Sequence, residues 1–245
     1  MNKSPEISVS IARKRPRGGR PPNDDRLMLE AMIFRIRIGC PWRDLPGFFG
    51  PWKSVYTRWR RWNLSGIWAQ VLDTLAADAH GTLRPLDATH IKVHQDAANP
   101  AGGQSGHSIG RTKGGLNTKL TALVDSHGRA LQLTLAPGNR ADVKAAEQIW
   151  APPGKRVVAD KGYDSDSFRE ALKAEGATTS IPPRSNRTTS PPFHRGYYRL
   201  RHHVENFFQR IKRWRAVGTR YDKLDLHFLA SVQLAAILDW LIREV

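Results

Sequence analysis

Two hydrophobic periods divide this chain. Up to about residue 80, apolar positions recur at helical spacing. Leu27, Leu29, Ala31, Met32, Phe34 and Ile36 predict a helix capped by Asn23 or Asp24 and running to about Ile38, where Gly39 ends it. After a short Pro41–Pro46 connection, Pro51 suits the first turn of a second helix, from Trp52 to about Trp62. Ser65 is placed to cap a third, Gly66–His80, with Ile67, Val71, Leu72 and Leu75 turned inward. After Gly81 the period becomes two. In Leu86–His94, Asp87, Thr89, Ile91 and Val93 share one face of a strand. Thr118–Val124 and Ala130–Leu135 read as two more strands, joined by a turn at Asp125–Gly128. Asp142–Trp150 reads as a helix capped by Asp142, and Arg156–Asp160 as a short strand covered on both faces. A helix over Ser165–Glu175, a strand over Thr178–Ile181 and a last helix over Asp225–Glu244 follow. Residues 182–196, rich in Pro, Ser and Arg, read as a linker too polar to pack.

The stretch Tyr197–Arg215 lacks Gly and Pro and reads as a helix of about five turns. Counting about 100° per residue from Tyr198, Arg201, Glu205 and Lys212 fall within the same stripe, about 60° wide. Leu200, Val204, Phe207, Phe208, Ile211 and Trp214 occupy a separate apolar face. The polar stripe thus runs along the edge of a core-facing surface. An Arg201–Glu205 pair at i, i+4 is by itself an ordinary surface feature worth a few tenths of a kcal/mol. Asp87 is different, because a carboxylate among β-branched neighbours requires a ligand, a hydrogen bond or a place at the sheet end.

Charge changes this picture. Among 245 residues, 39 Lys and Arg face 22 Asp and Glu, a net charge of +17 that favours a polyanionic partner, most simply nucleic acid. Residues 1–62 hold 14 of those cations against five acids, a surplus of nine. The basic residues Lys53, Arg58, Arg60 and Arg61 crowd the second helix, so the three helices resemble a helix-turn-helix module with these residues on DNA. Residues 1–22 read as a disordered basic arm in which Arg20, between Gly19 and Pro21, resembles a minor-groove hook. Arg111 and Lys113 lie in a glycine-rich loop over 95–115. One cysteine, Cys40, excludes a disulfide framework within the chain and a cysteine zinc site. No leader pattern is present, and Ser231, Gln233 and Asp239 interrupt the longest apolar stretch; a cytoplasmic, nucleoid-associated setting without membrane contact is expected.

Asp87 on one strand, Asp160 at the end of another and Glu205 on a following helix are candidates to converge. Hard divalent cations take such oxygen ligands, and a pair of them promotes in-line displacement at phosphorus. Asp164 and Asp166 stand near Asp160 as competing ligands, with Asp164 read as a cap or turn residue. His90 and His94 point away from the Asp87 face, His202 and His203 fall off the polar stripe, and Trp42, Trp52, Trp59 and Trp62 read as core.

Four segments carry a family resemblance in order: LDATHIKVH around Asp87, GRTKGGLNTKLTALVDSHG at 110–128, ADKGYDSDSFR around Asp160, and Tyr198-x2-Arg201-x3-Glu205-x6-Lys212. GRPPNDDR and GCPWRDLPGFFGPWKSVYTRWRRW add to it in the first half. Together they resemble the DDE transposases of bacterial insertion sequences, most closely the insertion-sequence-five family, which shares the last spacing with the insertion-sequence-four family. The resemblance covers about residues 19–243. It implies an α/β, ribonuclease-H-like catalytic domain, a mixed sheet flanked by helices, over 81–245, after a helical DNA-binding domain over 23–80. It implies Asp87, Asp160 and Glu205 as catalytic ligands of two Mg²⁺ or Mn²⁺ ions. It further implies Tyr198, Arg201 and Lys212 as contacts to double-stranded DNA at the transposon ends, with a homodimer bridging two ends and joining them to target DNA. Two other classes stay open: a transposase-derived DNA-binding regulator without catalysis, and a stand-alone metal nuclease of the same fold.

Overall fold

The computed structural model describes residues 24–188 and 191–243. Arg20, the arm over 1–22 and the alternative cap Asn23 lie outside the described residues.

Helix α1 (Asp25–Ile38) starts where the Asp24 carboxylate accepts the Arg26 backbone N–H at 3.0 Å. It stops at Gly39, whose φ of +74° closes the last turn as only glycine does easily. Helices α2 (Trp52–Leu64) and α3 (Ile67–Ala77) follow. Pro51 precedes α2 as its N-cap rather than sitting in its first turn. Ser65 does not cap α3: it closes α2, and its hydroxyl donates to the Trp62 carbonyl at 2.9 Å. Gly66, at φ +68°, leads α3 instead, because a two-residue turn between helices demands a left-handed residue.

The sheet is built around β1 (Leu83–Val93), which begins three residues earlier than its alternation indicated. The loop after it is shorter than expected, since β2 (Gly110–Thr112) turns through Lys113 and Gly114 into β3 (Gly115–Val124). Strand β3 runs antiparallel to both β1 and β4 (Ala130–Pro137). On the other side of β1, β5 (Arg156–Val158) and then β6 (Thr178–Ser180) add in parallel. The order β4-β3-β1-β5-β6, with only β3 reversed, is the mixed ribonuclease-H-like sheet. A two-residue β7 (Thr219–Arg220) pairs with the far end of β1.

Helices cover both faces. One core joins α1–α3 with α7 (His202–Ile211), α8 (Arg215–Gly218) and α9 (Asp225–Arg243), and takes Ile91, Leu120 and Ala122 from the sheet. The other takes Leu86 and Leu123 together with Tyr163, Phe168 and Leu172. Adjacent strand residues thus enter opposite cores, as period two requires. Helix α9 has the length and apolar composition of a membrane span, but Phe228, Val232, Ala235 and Trp240 are buried in the first core.

Three local expectations are corrected by packing. The helix foreseen over Asp142–Trp150 is regular only as α4 (Asp142–Ala145). Asp142 does not cap it: the carboxylate accepts from the buried Lys119 ammonium at 2.5 Å, an ion pair stronger than a cap in a covered site. Residues 182–196 are not a free linker. The Arg184 N–H and the Arg187 side chain both reach Asp164, at 2.8 and 2.6 Å. The long helix over Tyr197–Arg215 is segmented into α6 (Arg195–Tyr198), a tighter 3₁₀ turn at Arg199–Arg201 and α7. Lys212 closes α7, and extended backbone at Trp214 leads into α8, with the Trp214 ring under the Arg37 guanidinium at 5.2 Å. Between α4 and α6 lies α5 (Asp166–Ala174), close to its expected range.

Candidate active site

Asp87 and Asp160 come level through strand register. Pro85 pairs with Val158, the last contact between the parallel strands β1 and β5. Two residues beyond it stand Asp87 on β1 and Asp160 just past β5. Beyond that point β1 takes no further partner on this side, among the described residues, until β7 at Lys92. The crevice left at the carboxyl ends of parallel strands is where open α/β sheets hold their ligands.

Each carboxylate is oriented by its own backbone. Asp87 Oδ1 accepts the Ala88 N–H at 2.8 Å and Asp160 Oδ1 accepts the Gly162 N–H at 2.7 Å. Helix α7 lays the polar stripe along the Asp87 side of β1. The Arg201 guanidinium donates from Nη1 to Asp87 Oδ2 at 2.5 Å and from Nη2 to Glu205. Lys212 donates to Thr89 Oγ1 at 2.6 Å and to the His90 carbonyl at 3.3 Å. Tyr198 lies 6.0 Å from the Arg201 guanidinium, ring centroid to carbon. The stripe therefore keeps its company despite the break in the helix.

The electrostatics are those of crowded acids. Burial pushes the Asp87 carboxyl up to about 6; the Ala88 N–H and Arg201 oppose this, and Asp160 and Glu205 add to it. Burial also lowers Lys212. For Arg201, burial works against the charged form, but Asp87 and Glu205 outweigh it and hold the guanidinium above its ordinary value. Beneath the carboxylates lies Tyr163, fully buried, its phenol pushed up by burial and then by Asp87, Asp142 and Asp160. Its hydroxyl has no hydrogen-bond partner among the described residues.

The donor set suits a hard divalent cation: three carboxylates, all oxygen, whose mutual repulsion such an ion relieves. Among the described residues, no three His, Cys, Asp or Glu side chains stand in ligand geometry. Arg201 bridges Asp87 and Glu205 and supplies the positive charge there.

A groove of about 500 Å³ opens beside Asp160, lined by Lys161, Arg195, Tyr198, Arg199 and Arg201. Lys161, Arg195 and Arg199 were not singled out from the sequence; their adjacency to Asp160 and Tyr198 was the available signal. Arg111 and Lys113 are exposed on the β2–β3 hairpin. On α2, Lys53, Arg60 and Arg61 are exposed, but Arg58 is not a surface cation. It is buried, ion-paired with Asp25 and set over the Trp62 ring at 5.6 Å, because its position on α2 faces α1. The exposed side of α3 carries Gln70, Asp73 and Thr74, so the basic face of the helical layer belongs to α2.

Asp164 closes the 3₁₀ turn Lys161–Tyr163 with its backbone N–H on the Lys161 carbonyl at 3.2 Å, as a cap or turn residue does, and its carboxylate is not free to take a ligand. It is buried and accepts from Arg169, Arg187 and the Arg184 N–H. His90 turns away from Asp87, with Nε2 3.0 Å from the Gly138 carbonyl oxygen. Trp59 and Trp62 are buried, whereas Trp42 and Trp52 are only partly so.

Residues 79–240 match the family described as Transposase DDE domain, and residues 7–72 match the one described as Putative transposase of IS4/5 family. The chain belongs to the DDE transposase family. That family cleaves DNA and transfers strands with divalent metal. A putative transposase for insertion sequence element IS6501, from Brucella ovis, is 32% identical over 129 residues, 51% of this transposase and 99% of that protein. Uncharacterized protein y4sN of Sinorhizobium fredii is 36% identical over 78 residues, 32% of this chain and 62% of that one. Among solved structures, a chain of the Mos1 transposase paired-end complex with left transposon end aligns over 93% of this chain and 80% of that chain, at 12% identity. Its TM-score of 0.27 is too low for that geometry to bear on this one.

Proposed function

We propose that this transposase binds the inverted-repeat ends of its insertion sequence, cuts a strand at each end and joins the freed 3′-OH to target DNA. It works in the cytoplasm, on the nucleoid, as a homodimer bridging two ends. Asp87, Asp160 and Glu205 are the catalytic carboxylates, and they hold two Mg²⁺ or Mn²⁺ ions. Those ions, when bound, supply Lewis-acid stabilisation of charge at the reacting phosphate.

The protein's own groups do the rest. Arg201 releases the carboxylates and turns to the phosphate beside the scissile bond, with Lys212 on a neighbouring phosphate and Tyr198 packed against the sugar or base. The groove beside Asp160 orients the strand, and burial of Asp87 keeps competing water from its carboxylate. Arg111 and Lys113 on their hairpin and Lys53, Arg60 and Arg61 on α2 bind the duplex backbone, and Arg20 in the N-terminal arm reaches into the minor groove. The observation that carries this reading is the level pairing of Asp87 with Asp160, two residues past the Pro85–Val158 pair, with Arg201 linking Asp87 to Glu205.

The test is a cleavage and joining assay with a labelled duplex carrying the element's own end, in Mg²⁺ or Mn²⁺. Wild type nicks and joins. Asp87→Asn, Asp160→Asn and Glu205→Gln each lose both reactions and bind the duplex within about twofold of wild type. Cleavage retained in one variant removes that residue from the catalytic set. Salt-sensitive binding without cleavage by wild type in either metal favours the regulator, and nicking without joining favours the nuclease.

A further inference from the structure

A cavity of about 830 Å³ opens where the helical layer meets the far end of β1, and none of the three carboxylates lines it. Its walls include Trp42, Trp52, Tyr56 and Tyr221. Trp42, Trp52 and Tyr56 are half-buried, each packed on the first core by one side, whereas Tyr221 is 39% exposed. Two exposed cations, Arg43 and Lys223, also line it, Arg43 with its guanidinium 5.7 Å from the centre of the Trp52 ring. Two carboxylates line it as well: Asp222 holds Arg35, deeper in, at 3.2 Å, and the exposed Asp96 lies 3.3 Å from His94 Nδ1, which leaves Arg43 and Lys223 to a phosphate.

We infer that this cavity takes one unstacked nucleotide of the bound DNA, its base among the aromatic rings and its phosphate on Arg43 and Lys223. The inference rests on the transposase reading above. The volume lies in the range of small-ligand pockets. Flat aromatic walls accept any base, because every base presents a π face, and cations beside them match the phosphate. The chain's own N-terminal arm is a poorer occupant: residues 1–22 carry six Lys and Arg against Glu6, and the cavity keeps a cationic surplus, Arg35, Arg43 and Lys223 against Asp96 and Asp222.

Position favours DNA as well. The His94 ring lies 4.5 Å from that of Tyr221, centroid to centroid. His94 follows Asp87 by seven residues of mostly extended chain, about 23 Å at the rise of a strand. At about 3.4 Å per nucleotide, that is roughly seven nucleotides from the carboxylates, within reach of a duplex engaged there.

The experiment titrates full-length protein with a short single-stranded oligothymidylate, read by tryptophan fluorescence, and separately with a blunt duplex carrying the element's end. Tyr221→Ala is expected to weaken the single-stranded probe about tenfold, the loss of one stacked base, and Arg43→Ala to weaken it several-fold through the lost phosphate contact. Duplex affinity stays within about twofold. Tyr221→Phe, which keeps the ring, binds like wild type and shows that the loss is not misfolding. Arg60→Ala weakens the duplex and spares the single strand. Wild-type affinity of Tyr221→Ala for oligothymidylate, or no binding of that probe by wild type, overturns the cavity assignment alone. Failure of wild type to bind the duplex at all overturns the transposase reading on which it rests.

Discussion

The Arg201 guanidinium stands 2.5 Å from Asp87 Oδ2 and reaches Glu205, four residues on in the first turn of α7, with the other nitrogen. It is the counterion that Asp87 and Glu205 share. Arg201→Met is therefore expected to lower the unfolding temperature in chelator by a few degrees, for a loss of about 1–2 kcal/mol. Adding Mg²⁺ restores more stability to the variant than to wild type, because no guanidinium competes for the carboxylates. Thermal melts with and without Mg²⁺ measure this. An equal Mg²⁺ shift in the two proteins would show that Arg201 does not stand in for the ion.

Asp164 ties the 182–196 segment to the sheet. Burial alone would raise its carboxyl, but Arg187, the Arg184 N–H and Arg169 overcome this and lower it to about 2. Its folded value lies below its unfolded value of about 3.9, so its contribution is present above pH 4 and lost as pH falls through 2. Asp164→Asn is expected to cost about 2–3 kcal/mol at pH 7, with the gap to wild type closing toward pH 2. Urea melts between pH 2 and 7 read it; a gap independent of pH would refute the charge-based account.

On α2, neighbouring arginines separate into two roles. Arg58→Ala removes a buried partner of Asp25 and is expected to destabilise the protein by about 1–3 kcal/mol. Arg60→Ala and Lys53→Ala leave stability within about 0.5 kcal/mol, and each lowers the salt slope of duplex binding by about one. Denaturation paired with binding across a salt series separates the two classes. A stable Arg58→Ala that bound DNA poorly would reverse the assignment.

Lys119 is the buried member of the pair with Asp142. Asp142→Ala leaves that ammonium with the Arg140 carbonyl but no counterion and is expected to cost about 1–3 kcal/mol, whereas Lys119→Met with Asp142→Ala recovers most of the loss. A double-mutant cycle in urea is the measurement, and strictly additive losses would deny the coupling.

Much of this site was legible along single elements. Asp87, Thr89 and Ile91 share a face because the strand period acts within one element, and Tyr198, Arg201, Glu205 and Lys212 keep their stripe because the 3₁₀ turn between α6 and α7 continues the helical path. What failed were the assignments that depend on a neighbour. Arg58 looked like its exposed neighbours on α2, yet it faces α1 and Asp25. Asp142 had a capping position, yet Lys119 from β3 took its carboxylate. The polar 182–196 stretch looked loose, yet Asp164 gathers its arginines.

The sequence by itself determined where α1 begins and ends, which faces are apolar, and which carboxylates sit on core-facing or strand-end positions. These follow from backbone period, capping chemistry and glycine's freedom at Gly39, all local in the chain. Only the tertiary structure decided that Asp87 and Asp160, 73 positions apart, stand level at one crevice, and that Arg201 closes it onto Glu205. The register of two parallel strands joined by a long crossover is selected by the packing of both sheet faces together, and no local pattern carries that information.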